Sequence, residues 1–387
     1  MKANSSKIQK NLLNIEPAVI KWARLEAGYT VEDIAKKLNL KESSVISIEE
    51  TGLISLPQLE KLAHEVYKRP LLFFFMKSPP SSTIKKDFRS VQENEIDSLS
   101  PKIRAVIRKV KNFQLSLKEL YDNKNPFDPI HKKFKLSINS DPIDSANKLR
   151  EYLNIEPLDL KKLNKDKVYD FYRNLLEKKG VFVFQYALDE AFRGFALYDK
   201  EFPIITISSY DFPSGKTFTL FHELAHILLN TNDLFKDDLN SNEVIEIFCN
   251  KFAAEFLVPI YVLLNHQIVV NHSSMEWEES VLESLANEFK VSKETILRRL
   301  LDSNKTTKQY YLYCRNKWKI AFKQHRDKLK ESDGGPAPWR TWIAERGKGY
   351  TQSILNSYYS GTIDETKASE YLNIKINYFD KLQEALK

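Results

Sequence analysis

The sequence predicts a mainly α-helical protein with a small antiparallel β-sheet, divided into several domains. Among its 387 residues only 10 are glycine, and helix-favouring Lys, Glu and Leu are abundant. Runs rich in β-branched and aromatic residues are concentrated between positions 180 and 209. A chain of this length exceeds one ordinary hydrophobic core, so about two to four domains are expected.

Composition places the protein in the soluble globular class. Hydrophobic residues make up 42% and charged residues 29% of the chain. Cys249 and Cys314 are far apart and form no CxxC pair, which favours a reducing compartment. The N-terminus lacks the apolar core of a signal peptide, and the longest apolar run, at 71–76, is too short to span a bilayer. We therefore expect a cytoplasmic protein without a membrane partner. The net charge of +7 permits nucleic-acid binding without requiring it.

Residues 17–76 have the pattern of a compact helical unit. Thr30 and Asp33 form a capping-box signal, followed by an apolar stripe, a turn near Asn39 and a second helix that starts at Lys41. Two short helices joined in this way are typical of a helix-turn-helix. The residues that would face DNA are at the start of the second helix: Lys41, Ser43, Ser44 and Ser47. A domain that docks to a partner or to the chain's own protease domain is the alternative, because side chains that commonly read bases, such as Arg, Gln or Asn, are missing there.

The region after a Pro- and Ser-rich linker has a helical pattern up to about residue 177. The spacing of its apolar residues then changes to one typical of β-strands. The runs at 180–188, 194–199 and 202–209 predict two or three antiparallel strands. The run at 202–209 is expected to form a sheet edge to which an extended substrate adds as another strand. Two strong helices follow, one starting near Pro213 and one at 242–259.

The first of these helices carries the sequence H-E-x-x-H. His222 and His226 are four residues apart and share one helix face, so both imidazoles can bind one metal ion while Glu223 stays free as a base. A catalytic zinc site needs a third protein ligand. Glu246 on the next helix is the first candidate and Glu243 the reserve, and Asn250, one turn beyond Glu246, is placed to orient a ligand histidine.

The predicted ligand set suits zinc best, with manganese or iron as alternatives. Such a metal lowers the pKa of its bound water, and Glu223 takes the proton as the water attacks a peptide carbonyl. Tyr210, just after a strand, is a candidate second donor to the developing oxyanion.

The segment from 194 to 259 resembles the ImmA/IrrE metallopeptidases. The shared features are a strand, an F-T-L-F-H-E-L-A-H helix and the helix E-I-F-C-N-K-F-A-A-E-F-L-V-P; weaker matches are DFRS at 87–90 and the stretch at 285–300. This resemblance marks His222, His226 and Glu246 as ligands and Glu223 as the base, and it implies a zincin-like (gluzincin) domain. It also implies limited cleavage of a regulatory protein partner, such as a repressor or antitoxin. Residues 17–76 resemble XRE-type helix-turn-helix domains, with Val31 where a glutamine is common.

These patterns predict how the chain is divided and leave two alternative functions open. The expected divisions are an XRE-type helix-turn-helix domain at 1–76, a linker at 77–95, a metallopeptidase domain at 96–270, a second helix-turn-helix-like module at 271–330 and a C-terminal helical module at 331–387. One rival is a DNA-binding regulator whose metal site is structural or sensory. Another is a toxin–antitoxin or phage-defence component. The oligomeric state and the substrate stay open.

Overall fold

A computed structural model describes residues 12–80, 99–155, 160, 163–189, 192–230, 239–330 and 337–386, with backbone alone at 239–242 and 322–330. The chain forms two compact units, one comprising the described residues up to 109 and the other residues 110–386. Most of the expected linker, including DFRS at 87–90, lies outside the described residues. Within the described residues, no helix is long and apolar enough to cross a membrane.

The first unit is helical with one short two-stranded sheet. Strands β1 and β2 pair antiparallel, with Leu13 opposite Ile54. After α4 the chain continues through a π-helical turn at Lys61–Val66 and a 3₁₀ turn at Leu71–Phe75. The elements in chain order are β1 (Leu12–Asn14), α1 (Pro17–Ala27), α2 (Val31–Leu38), α3 (Glu42–Thr51), β2 (Leu53–Ser55) and α4 (Leu56–Glu60).

The predicted capping box at the start of α2 is confirmed. The Thr30 hydroxyl accepts a hydrogen bond from the Asp33 backbone N–H at 3.1 Å, and the Asp33 carboxylate accepts one from the Thr30 N–H at 2.9 Å. Asn39 ends the helix in the left-handed region, with φ of 55°, and lets the chain turn sharply into α3. The α2–turn–α3 geometry is therefore fixed by local sequence.

The second unit contains the longer helices. They are α5 (Pro101–Leu120, whose first half belongs to the first unit), α6 (Ile130–Lys133), α7 (Pro142–Tyr152), α8 (Val168–Lys178), α9 (Pro213–Leu229), α10 (Leu239–Leu257), α11 (Ile260–Leu264), α12 (Gln267–Val270), α13 (Glu279–Glu288), α14 (Lys293–Asp302), α15 (Lys308–Lys330), α16 (Pro338–Arg346), α17 (Lys348–Tyr359), α18 (Glu365–Leu372) and α19 (Phe379–Leu386). Together with the small sheet, these helices confirm the predicted, mainly α-helical fold class.

The sheet of the second unit is mixed, which corrects the expectation of antiparallel pairing throughout. Its strands are β3 (Phe182–Tyr186), β4 (Gly194–Leu197) and β5 (Ile204–Ser208), in the order β3-β5-β4. Strand β5 is antiparallel to β4 but parallel to β3. The chain places β4 at the far edge and then returns β5 between the two earlier strands, so β5 runs in the direction of β3. All five residues of β5 are buried, as suits a central strand.

The central position of β5 overturns its expected role as the edge that receives a substrate. Both sides of its backbone are occupied by β3 and β4, so no further strand can be added to it. Strand β4 lies at the sheet's edge, and both β4 and β5 pack against α9.

Aromatic packing fixes α9 against α10. The rings of Phe221 on α9 and Phe256 on α10 stack with centroids 3.9 Å apart, and Tyr172 on α8 meets Phe221 edge-on at 4.8 Å. Such pairs add to the area that each ring buries. At the end of α10, the buried Glu255 carboxylate forms an ion pair with Arg299 on α14 and accepts the Ile260 N–H at 3.1 Å. These contacts hold in register the two helices that carry the predicted metal ligands.

The C-terminal helices pack against α8 and β3 around a buried charge pair. The guanidinium of Arg173 donates to the carbonyl oxygens of Val183, at 3.0 Å from Nε, and Ala344, at 2.7 Å from Nη1. The neighbouring Glu177 carboxylate accepts the Gly349 N–H at 2.9 Å. Since Val183 is in β3, this cluster ties the sheet directly to residues 338–359.

Candidate metal centre

Helix α9 presents its two histidines on one face. It begins with Pro213 in its first turn and ends at Asn230, which adopts a left-handed φ of 49°. His222 and His226 are one turn apart, with ring centroids 4.9 Å apart and Nε2 atoms 3.2 Å apart. Nearly all other residues of the helix after Phe218 are buried, so packing determines where the two imidazoles point.

Helix α10 brings a carboxylate to the same point. One oxygen of Glu246 lies 3.2 Å from Nε2 of His222, and its other oxygen lies 3.2 Å from Nε2 of His226. The side chain of His226 is 1% exposed and that of Glu246 is 44% exposed. The cluster is therefore closed on the histidine side and open to solvent beside the glutamate.

The donor set fits a small divalent metal ion. Two neutral imidazole nitrogens and a carboxylate are typical ligands of catalytic zinc. With metal–ligand distances of about 2.0–2.1 Å and tetrahedral angles, neighbouring ligand atoms are separated by about 3.3 Å. The 3.2 Å separations that link the three side chains agree with this geometry. All three donor atoms lie within 4.8 Å of one another.

The charges of the site favour a cation. Burial by itself would raise the pKa of Glu246, but hydrogen bonds to His222 and His226 outweigh burial and hold that pKa well below its usual value. Burial lowers the pKa of His222, yet Glu246, the Glu223 charge and the Asn250 side chain raise it overall. Two carboxylates, Glu223 and Glu246, thus act on the same imidazole. The Asn250 side chain, one turn beyond Glu246 on α10, forms a hydrogen bond with His222.

Glu223 lies beside the cluster on α9 and is 4% exposed. Its neighbour across the interface is the first residue of β4, Gly194, where an added Cβ would lie 3.5 Å from Cγ of Glu223. Sequence reasoning missed Gly194. The signal available was a glycine at the start of a strand-like run, which commonly marks close approach of another element.

The other site residues predicted from the sequence lie outside the cluster formed by His222, His226 and Glu246. Tyr210 lies in the turn after β5, and its side chain is 44% exposed. Glu243, the reserve ligand, is exposed and outside the ligand cluster found in the described residues. The predicted DNA contacts lie in the first unit: Lys41 is exposed and precedes α3, Ser43 and Ser47 are exposed on α3, and Ser44 is half-buried.

Comparison with known proteins shows what part of the second unit resembles. Residues 176–301, about a third of the chain, match the peptidase M78 family, described as the IrrE N-terminal-like domain. The chain is also 39% identical over 69 residues to the "Radiation response metalloprotease IrrE" of Deinococcus deserti. That similarity covers 16% of this chain and 25% of the relative, so the chain spans about a quarter of the length of the curated relative that it matches.

The matched region contains α9, α10 and all three strands of the mixed sheet. Residues 176–301, which include His222, His226 and Glu246, are thus similar to the ImmA/IrrE metallopeptidases.

Proposed function

We propose that this protein is a zinc-dependent endopeptidase in which His222, His226 and Glu246 hold the metal and Glu223 is the general base. The observation that carries the proposal is the convergence of two Nε2 atoms and one carboxylate at 3.2 Å, next to a buried glutamate. Manganese or iron would use the same donor set.

Zinc bound by these side chains would supply a Lewis acid that activates water and polarises a peptide carbonyl. Glu223 accepts the proton of the attacking water and passes it to the leaving amine. Asn250 orients His222, and Glu246 stays ionised because the two imidazoles stabilise its charge. Tyr210 is the proposed additional donor to the developing oxyanion. A Tyr210→Phe variant should then lower kcat while leaving zinc content and KM unchanged.

The substrate is proposed to lie along β4. Gly194, at the start of this strand, contacts Glu223, so a peptide passing the base meets β4 rather than β5. The partner is proposed to be a specific regulatory protein, a repressor or antitoxin. The support is the ImmA/IrrE-family domain together with the α2–turn–α3 unit, which suits a protein that acts on gene regulators.

The test compares cells that express the full chain or its Glu223→Gln variant and identifies new protein N-termini by mass spectrometry. A small set of cleavage products is expected with the wild type and none with Glu223→Gln. The control is Glu243→Gln, which removes a carboxylate one turn from Glu246 at an exposed position and should act as the wild type does.

Metal content is measured on the same proteins, purified without chelator or metal-affinity resin. About one zinc per chain is expected in the wild type and Glu223→Gln, and much less in Glu246→Ala. Cleavage that persists in Glu223→Gln would exclude the proposed base. A wild type that binds no transition metal even after zinc is added would exclude the metal site.

A second candidate function, sequence-specific DNA binding, is supported by the capped α2, the left-handed Asn39 and α3. Its proposed contacts are Lys41, Ser43, Ser44 and Ser47. If Lys41 contacts a phosphate, Lys41→Ala should reduce the slope of log affinity against log salt by about one. An unchanged slope would remove Lys41 from the interface.

A further inference from the structure

Four arginines of the first unit differ in how completely their side chains are hydrogen-bonded. Arg24 donates from Nε and Nη2 to the Glu49 carboxylate at 2.6 and 3.0 Å, and Arg104 donates to the carbonyl oxygens of Leu25 and Leu99 at 3.2 and 3.1 Å. By contrast, Nε of Arg69 and Nη1 of Arg108 are buried without a hydrogen-bond partner among the described residues. Buried donors of this kind are rare because leaving them unpaired costs free energy.

Aromatic rings hold the Arg69 guanidinium in place. Its central carbon lies 4.7 Å from the ring centroid of Trp22 and 4.5 Å from that of Phe73. These two rings pack beside each other, with centroids 5.7 Å apart. The contacts stabilise the cation from its faces and leave the N–H groups, which lie in the guanidinium plane, able to donate. The site therefore has a fixed positive group without a bound carboxylate.

Arg108 adds a second cation next to the first. Its Nη2 donates to the carbonyl oxygen of Tyr67 at 2.7 Å, two residues before Arg69 in the chain. Burial, and after it the charge of Arg108, lower the pKa of Arg69 to about 10. Burial also lowers the pKa of Arg108. Glu26 raises both pKa values through its charge, but it leaves the two buried donors unused.

We propose that Arg69 and Arg108 form a binding site for a phosphate group. A phosphate dianion matches two guanidinium charges and offers enough oxygens for both unused donors, as in other charge-assisted arginine–phosphate pairs. Arg69, Arg108, Trp22 and Phe73 are all partly exposed, so the cluster borders solvent. It lies outside α2 and α3 and is independent of both the metal centre and the proposed DNA contacts.

The test is calorimetric titration of inorganic phosphate into the full chain, with ionic strength held constant by sodium chloride. We expect saturable binding to the wild type, and at least about tenfold weaker binding in Arg69→Gln and in Arg108→Gln. Lys21→Gln is the matched control, because it removes an exposed cation next to Trp22 and should bind as the wild type does. Arg69→Lys and Arg108→Lys, which keep the charge but lose the planar donors, should also bind more weakly.

The melting temperature provides a second readout for variants with reduced stability. Phosphate should raise the melting temperature of the wild type more than chloride does, and this difference should vanish in the arginine variants. Parallel titration with a nucleoside 5′-monophosphate distinguishes the source of the phosphate: equal affinity indicates the free ion, and tighter binding that Trp22→Leu removes indicates a nucleotide. The proposal is overturned if the wild type does not bind phosphate, if the arginine variants bind it equally well, or if a glutamate-rich peptide binds about tenfold more tightly than phosphate.

Discussion

Gly194 on β4 lies within van der Waals reach of Glu223 on α9, and Thr219 and Thr206 leave no room for a side chain at Gly194. A Cβ at Gly194 would lie 2.6 Å from Cγ2 of Thr219, 2.9 Å from the carbonyl oxygen of Thr206 and 3.5 Å from Cγ of Glu223. The strand thus lies directly on the helix at the proposed base. This contact positions Glu223 relative to any peptide that follows β4.

Replacing Gly194 with Ala should therefore displace β4 from α9. We expect kcat/KM for the cleaved partner to fall by about tenfold to a hundredfold, since small misplacements near a reacting centre have effects of this size. Zinc content should stay at the wild-type level, because none of the three atoms nearest to the added Cβ belongs to a proposed ligand. The measurement pairs a cleavage assay with metal analysis.

A second substitution tests whether steric displacement is the cause. Thr219→Ser removes the methyl group that lies 2.6 Å from the added Cβ. It should restore part of the activity of Gly194→Ala, while the Thr206 contact keeps the recovery incomplete. If the single Gly194→Ala variant cleaves as fast as the wild type, β4 does not position the base.

The buried ion pair between Arg299 and Glu255 gives a prediction about stability. Arg299→Met would leave Glu255, which is 1% exposed, without its charge partner. We expect the free energy of unfolding of the second unit to fall by about 3–5 kcal/mol, measured by urea denaturation. The double variant Glu255→Gln/Arg299→Met should recover much of this loss, since it removes both charges.

The adjacent Arg298 offers a matched control for this experiment. Its side chain is 56% exposed and pairs with Asp302 at 3.0 Å. Arg298→Met should change the free energy of unfolding by less than about 1 kcal/mol, as is usual for exposed pairs. If Arg298→Met and Arg299→Met lower the free energy of unfolding equally, burial is not what makes the Arg299–Glu255 pair important for stability.

Glu279 at the start of α13 gives a prediction about pH. Hydrogen bonds from Lys293, and then from Lys317 and Trp318, lower its pKa to about 2. Because the folded-state pKa lies below the ordinary carboxyl value of 4.5, Glu279 stabilises the protein above about pH 4.5, and this contribution is lost as the pH falls towards about 2. The Glu279→Gln variant should therefore melt at a lower temperature than the wild type at neutral pH.

The difference in melting temperature between the two proteins should shrink as the pH decreases from about 5 to about 3. The effect should be modest, because the Glu279 side chain is 44% exposed. Glu278→Gln is the control, since it removes the same charge from the neighbouring position and should show no such trend. A difference that is constant with pH would rule out the carboxylate as its source.

The helices of the site could be predicted from local sequence better than the order of the strands in the sheet. The i, i+4 spacing of His222 and His226 and the position of Glu246 depend on helix geometry and one helix–helix packing contact, which a sequence pattern can indicate. The strand order β3-β5-β4 depends on non-local pairing, and no residue of β5 signals which strands flank it except its near-continuous apolar character. Arg69 and Arg108 are 39 positions apart in the chain, so their proximity also appears only in the fold.

Gly347, between α16 and α17, gives the last prediction. Its φ of 84° and ψ of 155° lie in a region open essentially to glycine alone, and an added Cβ would lie 2.1 Å from Oε1 of the buried Glu177. Gly347→Ala should thus strain the backbone and push Glu177 away from the Gly349 N–H. We expect faster hydrogen exchange and easier proteolysis of residues 338–359, with little change in zinc content.

Gly361 provides a control for a glycine with positive φ that lacks such a contact. It also has a positive φ, 75°, but an added Cβ there meets nothing within 4 Å. Gly361→Ala should therefore cost only about 1 kcal/mol from the backbone, well below the loss at Gly347. If both variants exchange at the same rate over residues 338–359, the contact with Glu177 does not hold these helices to β3. A larger effect at Gly347 is expected, because both its backbone conformation and the contact with Glu177 oppose an added Cβ.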